Sequence, residues 1–237
     1  MASSTIMVVD LAVAPSRREE FDAFYHDFYI PEFLKALPEI ATARRFAQTN
    51  AENRNGKVHY LTVYELIANG AILDVENAIA RSAHREASDQ FKLWKNDGLT
   101  HFDREFYAEA FLSELECPTN ELWKFSDLCA LFWKMPSASV SIENIHLARE
   151  ITVGLTTSTV TGAGRTYECI FESPADDLMA NYMTILTAKD QISLSETISN
   201  AEQILKPHTR RADFNHSPGA TIALQLIYSH SRDDTNI

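Results

Sequence analysis

The chain has 237 residues, 45% hydrophobic and 23% charged, with a formal net charge of −12. That length buries a core without disulfide or metal staples, as one large domain or two of about 120 residues. The negative balance excludes nucleic acid and anionic membranes as partners, and no apolar run approaches the ~20 residues of a membrane span. Cys117, Cys129 and Cys169 are an odd count without CxxC or finger spacing. They read as reduced thiols in a reducing, cytoplasmic compartment, Cys129 and Cys169 as buried and inert. Met1 to Thr5 carry no basic residue, so no signal peptide is expected.

The first strand covers residues 6–14 and is broken by Pro15 and Ser16. Ser16, with Glu19 three residues on, predicts a capping box opening a helix that buries Phe21, Phe24, Tyr25 and Phe28. Pro31 is expected to kink or end that helix. Residues 41–49, with Arg44, Arg45 and Phe46, read as a second strand, and residues 53–56 as a turn. Tyr60-Leu61-Thr62-Val63-Tyr64-Glu65, led by His59, makes a third strand; residues 72–94 read as helix and 106–112 as a fourth strand. The order is β-α-β-β-α-β, the ferredoxin-like arrangement.

The stretch Cys117-Pro118-Thr119-Asn120 reads as a boundary between an N-terminal repeat, 1–116, and a C-terminal one, 117–237. Residues 128–135 resemble another first strand, 140–150 a short helix and 151–160 a β-branched strand. A turn at Thr161, Gly162, Ala163 and Gly164 leads into Tyr167-Glu168-Cys169-Ile170-Phe171-Glu172, which echoes the segment from Tyr60 to Glu65. Helical sequence from Ala175 and a strand at 221–229 complete the order. The expected fold is α+β: two ferredoxin-like repeats stacked sheet to sheet as a pseudo-dimeric α/β barrel around a small-molecule pocket.

The segment Phe21-Asp22-Ala23-Phe24-Tyr25-His26-Asp27-Phe28-Tyr29-Ile30-Pro31, followed by Ala41-Thr42-Ala43-Arg44-Arg45-Phe46, resembles the dimeric α/β-barrel superfamily, its EthD-like branch in particular. Tyr60-Leu61 with Tyr64-Glu65 adds to the likeness, which covers about residues 6–112. Where the family usually has His, sometimes preceded by Glu, this chain has Tyr29 preceded by Phe28. The resemblance implies a barrel whose relatives include cofactor-free cyclases, isomerases, decarboxylases and quinone-forming monooxygenases, among which fold alone does not choose.

Three residues are candidate catalytic groups. Tyr29 occupies the family slot and, with Tyr25 four residues before it, can hold a substrate carbonyl or enolate by hydrogen bonds. Alternatively both rings are core. His26 shares a helix face with Asp22, which would favour its protonated form; it moves a proton or is a surface ion pair. Asp10 interrupts an apolar strand, as a buried acid or base or as an edge residue facing solvent. Phe28, His59 and Tyr64, with Tyr25, are candidate substrate contacts. Glu65 and Glu172 end strands and read as structural. The pairs Arg17-Arg18, Arg44-Arg45 and Arg210-Arg211 read as solvated surface, His84 likewise. His208 and His216 beside Arg210 and Arg211 form an anion site or a solvated loop, and His101 lies near Asp103. With no HExxH, GxSxG, Walker loop or Cys/His ligand spacing, no metal and no cofactor are expected. The expectation is a cofactor-independent lyase or isomerase acting on a small apolar carbonyl or aromatic metabolite. A cofactor-free monooxygenase and a non-catalytic binding barrel are the alternatives. The only expected partner is the small-molecule substrate, with the chain a monomer or a homodimer.

Overall fold

The structure is a computed structural model that describes residues 5–49, 56–67, 71–81, 85–110, 122, 125–136, 142–170, 179–189, 191–207 and 221–231. These hold eight strands with helices between them, a mixed α/β fold. Contacts divide the chain into two units, the division falling inside two strands: Met1–Phe106 with Leu226–Ile237, and Tyr107–Gln225. The boundary expected at 117–120 lies outside the described residues. No described helix is long and apolar enough to cross a membrane.

In the first unit, β1 (Thr5–Val13) pairs antiparallel with β3 (Val58–Leu66), and β3 with β2 (Ile40–Gln48). Strand β1 is buried on both faces, which its nearly unbroken apolar run requires. Met7, Val9, Leu11 and Val13 face the helices with Tyr60 and Tyr64 of β3 and Ala43 and Ala47 of β2. Alternation sends Asp10, His59, Leu61, Val63 and Glu65 to the opposite face.

The helical segment after β1 departs from expectation twice. A 3₁₀ turn, Pro15–Arg17, precedes it, and no side chain caps it, so the expected capping box is not formed. The segment also runs past Pro31: α1 (Arg18–Phe24) passes through a π-helical turn, Tyr25–Tyr29, into α2 (Ile30–Ala36). In an unbroken α-helix Pro31 would offer no N–H to Asp27 and its ring would strike that carbonyl. The wider turn sends the Ile30 N–H back to the Tyr25 carbonyl, five residues away, and the helix resumes with Pro31 in its first turn, where no N–H is needed.

The stretch expected as one helix over 72–94 is two, α3 (Ala71–Ala80) and α4 (Arg85–Asp97), and His84 lies outside the described residues. Strand β4 (Leu99–Glu109) begins earlier than expected.

The second unit keeps the strands expected at 128–135 and 221–229 and corrects the elements between them. Its first helix is α5 (Ile142–Thr156), long rather than short, and the expected strand at 151–160 is mainly helix. Its β-branched residues misled; the better signal is Ala148, Ile151, Thr152 and Leu155, buried at helical spacing. Thr156 and Thr157 settle into helical backbone by bonding the carbonyls of Thr152 and Val153, at 2.8 and 2.7 Å.

The expected turn at 161–164 is the start of β6 (Thr161–Cys169), where the register with the next strand shifts. A Cβ on Gly162 would sit 2.6 Å from the Ala188 carbonyl oxygen, so glycine is required by close approach there. The start of the helix expected from Ala175 lies outside the described residues, and Met179–Ala188 is strand β7. Strand β5 (Asp127–Pro136) pairs with β7 and with β8 (Thr221–Ser231), and α6 (Leu194–Leu205) lies between β7 and β8 in sequence. Tyr60 lies on β3, which follows its partner β2 in sequence, and Tyr167 on β6, which precedes its partner β7, so the two do not hold matching places in the strand order.

Cys129 and Cys169 are free and buried, and burial pushes the Cys129 thiol up to about 12, so it is not a nucleophile at neutral pH.

Arg44, expected at the surface, is buried opposite the helices and pairs with Glu65, which Thr42 also contacts. This gives Glu65 the structural role expected of it. Removing one partner leaves the other charge buried and alone, so Arg44→Met should cost about 3–5 kcal/mol in chemical denaturation. The double variant Arg44→Met, Glu65→Leu should recover part of that loss, and equal losses in both would contradict this account.

Candidate active site

The π turn carries four of the seven candidate residues, and the sheet beneath it supplies a fifth. Tyr25 and Tyr64 are buried with their hydroxyl oxygens 3.0 Å apart. Tyr29 stacks on Tyr25 (centroids 5.0 Å, 19°) and on Phe91 of α4 (4.7 Å, 28°). Burial raises all three phenols, so each stays protonated at neutral pH. The Tyr64 hydrogen bond and the Arg45 charge oppose the rise at Tyr25, and the Arg104 charge opposes it at Tyr29.

Tyr29 alone among the seven lines the cavity at this end of the unit. The cavity is about 350 Å³, bounded by Tyr29, by Ser88, Phe91, Lys92 and Lys95 of α4, and by Phe102, Asp103 and Arg104 of β4. Three of its eight lining residues are aromatic and three are cationic. Arg104 gives Nη2 to Glu76 at 2.9 Å, and Lys92 pairs with Asp89 at 2.9 Å. The Lys95 ammonium sits 4.0 Å from the centroid of the Phe102 ring. A protonated phenol beside a guanidinium is suited to holding an oxygen on which negative charge develops. Asp103, whose Oδ1 accepts the Arg104 N–H at 2.8 Å, is the carboxylate on the same wall.

His26 lies on the other side of the turn, bound to Arg45. Arg45 is fully buried, against the surface position expected for it. Its Nη1 contacts Asp22 Oδ1 at 2.7 Å and His26 Nε2 at 2.8 Å, and its guanidinium lies 3.7 Å over the Tyr60 ring. A guanidinium only donates, so His26 Nε2 accepts and the ring proton is on Nδ1. The protonated form expected for His26 is therefore corrected: burial, then the Arg45 charge, lowers its pKa to about 4, against the pull of Asp22 and Asp27.

Tyr228 stacks on the imidazole (4.3 Å, 2°) and donates to the His26 carbonyl at 2.9 Å. That carbonyl has lost its helical partners, since the Ile30 N–H turns to Tyr25 and Pro31 has none.

Phe28 is partly buried against Phe24, at 6.1 Å between centroids. Asp10 and His59 project from the face opposite the tyrosines. There Asp10 is paired with His101 at 3.3 Å, a contact that raises the His101 pKa, while burial lowers that of His59. The structure thus separates Asp10 and His59 from Tyr29, and gathers Tyr25, Tyr29 and Tyr64. The cluster around His208 and Arg210 lies outside the described residues. Among the described residues no three His, Cys, Asp or Glu side chains form a group that could hold a metal.

Sequence reasoning missed Arg45, Lys95, Asp103 and Arg104. Only Arg45 had a local signal: alternation along Ala43, Arg45 and Ala47 puts it on the helix-covered face if the two alanines are there.

No family model matches the chain, and no curated protein matches it. Solved structures do. A candidate monooxygenase from Fusobacterium nucleatum is 10% identical, with 97% of this chain and 95% of that one covered and a TM-score of 0.53. An anthrone oxidase-like protein is 10% identical, with coverages of 96% and 93% and a TM-score of 0.54. A candidate chlorite dismutase is 12% identical, with coverages of 99% and 98% and a TM-score of 0.53. At such identities the likeness is one of fold.

His26 supplies a prediction. Its imidazole resonances should stay flat from pH 8 to about 5.5 and move only near pH 4. Because its folded pKa lies below the ordinary 6.5, the unfolded chain binds the extra proton between those values. Stability should then fall as pH drops from about 6.5 towards 4. A midpoint above 6 for His26 would contradict the contact with Arg45.

Proposed function

We propose that the chain is a cofactor-independent enzyme that enolises a small aromatic carbonyl metabolite, as a lyase or isomerase. One observation carries this reading: Tyr29, on the π turn, lines an open cavity together with Phe91, Phe102, Arg104 and Asp103. In this reading the Tyr29 hydroxyl donates to the substrate carbonyl oxygen, and Arg104 supports the charge that gathers there. Asp103 takes the proton from the carbon beside the carbonyl. The buried Tyr25–Tyr64 pair behind Tyr29 is a polar backing. His26 is a positioning residue, since its one acceptor nitrogen is bound to Arg45. Asp10, Phe28 and His59 would act outside this cavity if they act at all. The order β-α-β-β, helix, β occurs in each half. That supports two tandem ferredoxin-like repeats, with the EthD-like branch as the nearest relation.

The direct test is deuterium exchange. A panel of aromatic ketones and keto acids in D₂O should exchange the hydrogens beside the carbonyl when the protein is added. Tyr29→Phe and Asp103→Asn should each slow exchange by about 10²-fold. Exchange that neither variant changes, or none with any member of the panel, would refute the reading.

A second reading is favoured by the neighbours named for monooxygenase and anthrone oxidase activity. The same cavity would then hold an electron-rich phenol that reacts with oxygen. Oxygen consumed in step with product would support it over the lyase reading.

A further inference from the structure

The lining of the Tyr29 cavity runs against the charge of the chain. The protein carries a net −12, yet the cavity wall holds Lys92, Lys95 and Arg104 against the single carboxylate of Asp103. Two of these cations are balanced by carboxylates beside the cavity, Asp89 and Glu76, so the charge left to meet a ligand is that of Lys95. The three cations are not equivalent. Lys92 is tied to Asp89 at 2.9 Å and is largely exposed. Arg104 gives one amino group to Glu76 and remains by Tyr29.

Lys95 makes no ion pair among the described residues. Its ammonium is held 4.0 Å over the Phe102 ring, which itself lines the cavity. A cation stacked on an aromatic wall keeps its charge and its donors free for a ligand beside that wall.

We propose that the substrate carries a carboxylate on its aromatic frame, bound by Lys95 while the ring lies against Phe91 and Phe102. The proposal rests on the Tyr29 cavity being the working site and narrows the substrate from an apolar metabolite to an aromatic acid.

The test is calorimetric titration of the whole protein with naphthalene-2-carboxylate and with its uncharged isostere, naphthalene-2-carboxamide. The carboxylate should bind about tenfold more tightly than the amide, with the advantage shrinking as salt rises. Lys95→Gln should remove most of that advantage, and a wild-type circular dichroism spectrum and melting temperature show that the variant is folded. Equal binding of the two probes, or a preference that Lys95→Gln does not reduce, would overturn the carboxylate assignment and leave the aromatic cavity standing. Failure of both probes to bind would overturn the cavity as the working site, and this inference with it.

Discussion

A fully buried guanidinium is the constraint on which the first unit is arranged. Removing Arg45 from water costs several kcal/mol unless its surroundings return that energy. The return comes from three directions: the Asp22 carboxylate at 2.7 Å, the His26 nitrogen at 2.8 Å and the Tyr60 ring beneath. Asp22 and His26 sit on the helix, Arg45 and Tyr60 on the sheet. The arginine therefore sets where the helix lies on the strands. Asp22 also accepts from the Tyr60 hydroxyl at 3.3 Å, which closes the set.

What Arg45 pins is the turn that proline makes necessary. Pro31 cannot continue an α-helix through Asp27, so the backbone widens over Tyr25–Tyr29 and leaves the His26 carbonyl without a helical donor. Tyr228 fills that vacancy and stacks on the imidazole. On the other side of the same turn, Tyr25 and Tyr29 are stacked towards Tyr64 and α4. One irregularity thus has a clamped polar side at Arg45 and a phenolic side at the cavity. A π turn inside an α-helix is often found where function needs a side chain re-aimed.

Much of the first half was legible because its signals are local: an apolar strand, aromatic residues at helical spacing, and a strand ending in Glu65. The second half was not. Residues 151–153 are β-branched and look like strand, yet packing of Ala148, Ile151 and Leu155 holds them in a helix. Gly162 and Gly164 look like a turn, but they lie where another strand leaves no room for a side chain. Arg45 was hidden by its neighbour, since two adjacent arginines read as surface and here take opposite buried faces. The cavity was the least legible feature. Tyr29, Lys95 and Arg104 come from three elements, and no spacing in the sequence joins them.

The central claim is that Arg45, through the π turn, holds Tyr29 and the buried Tyr25–Tyr64 pair behind it in place. Tyrosine labelled with ¹³C at Cζ reports each phenol separately, and Arg45→Lys keeps the charge while losing the planar guanidinium that lies over the Tyr60 ring and reaches Asp22 and His26 through Nη1. The account predicts that the Tyr25, Tyr29 and Tyr64 resonances move in that variant while those of Tyr167 and Tyr182, in the second unit, do not. A folded Arg45→Lys protein in which Tyr25, Tyr29 and Tyr64 keep their wild-type shifts would contradict it.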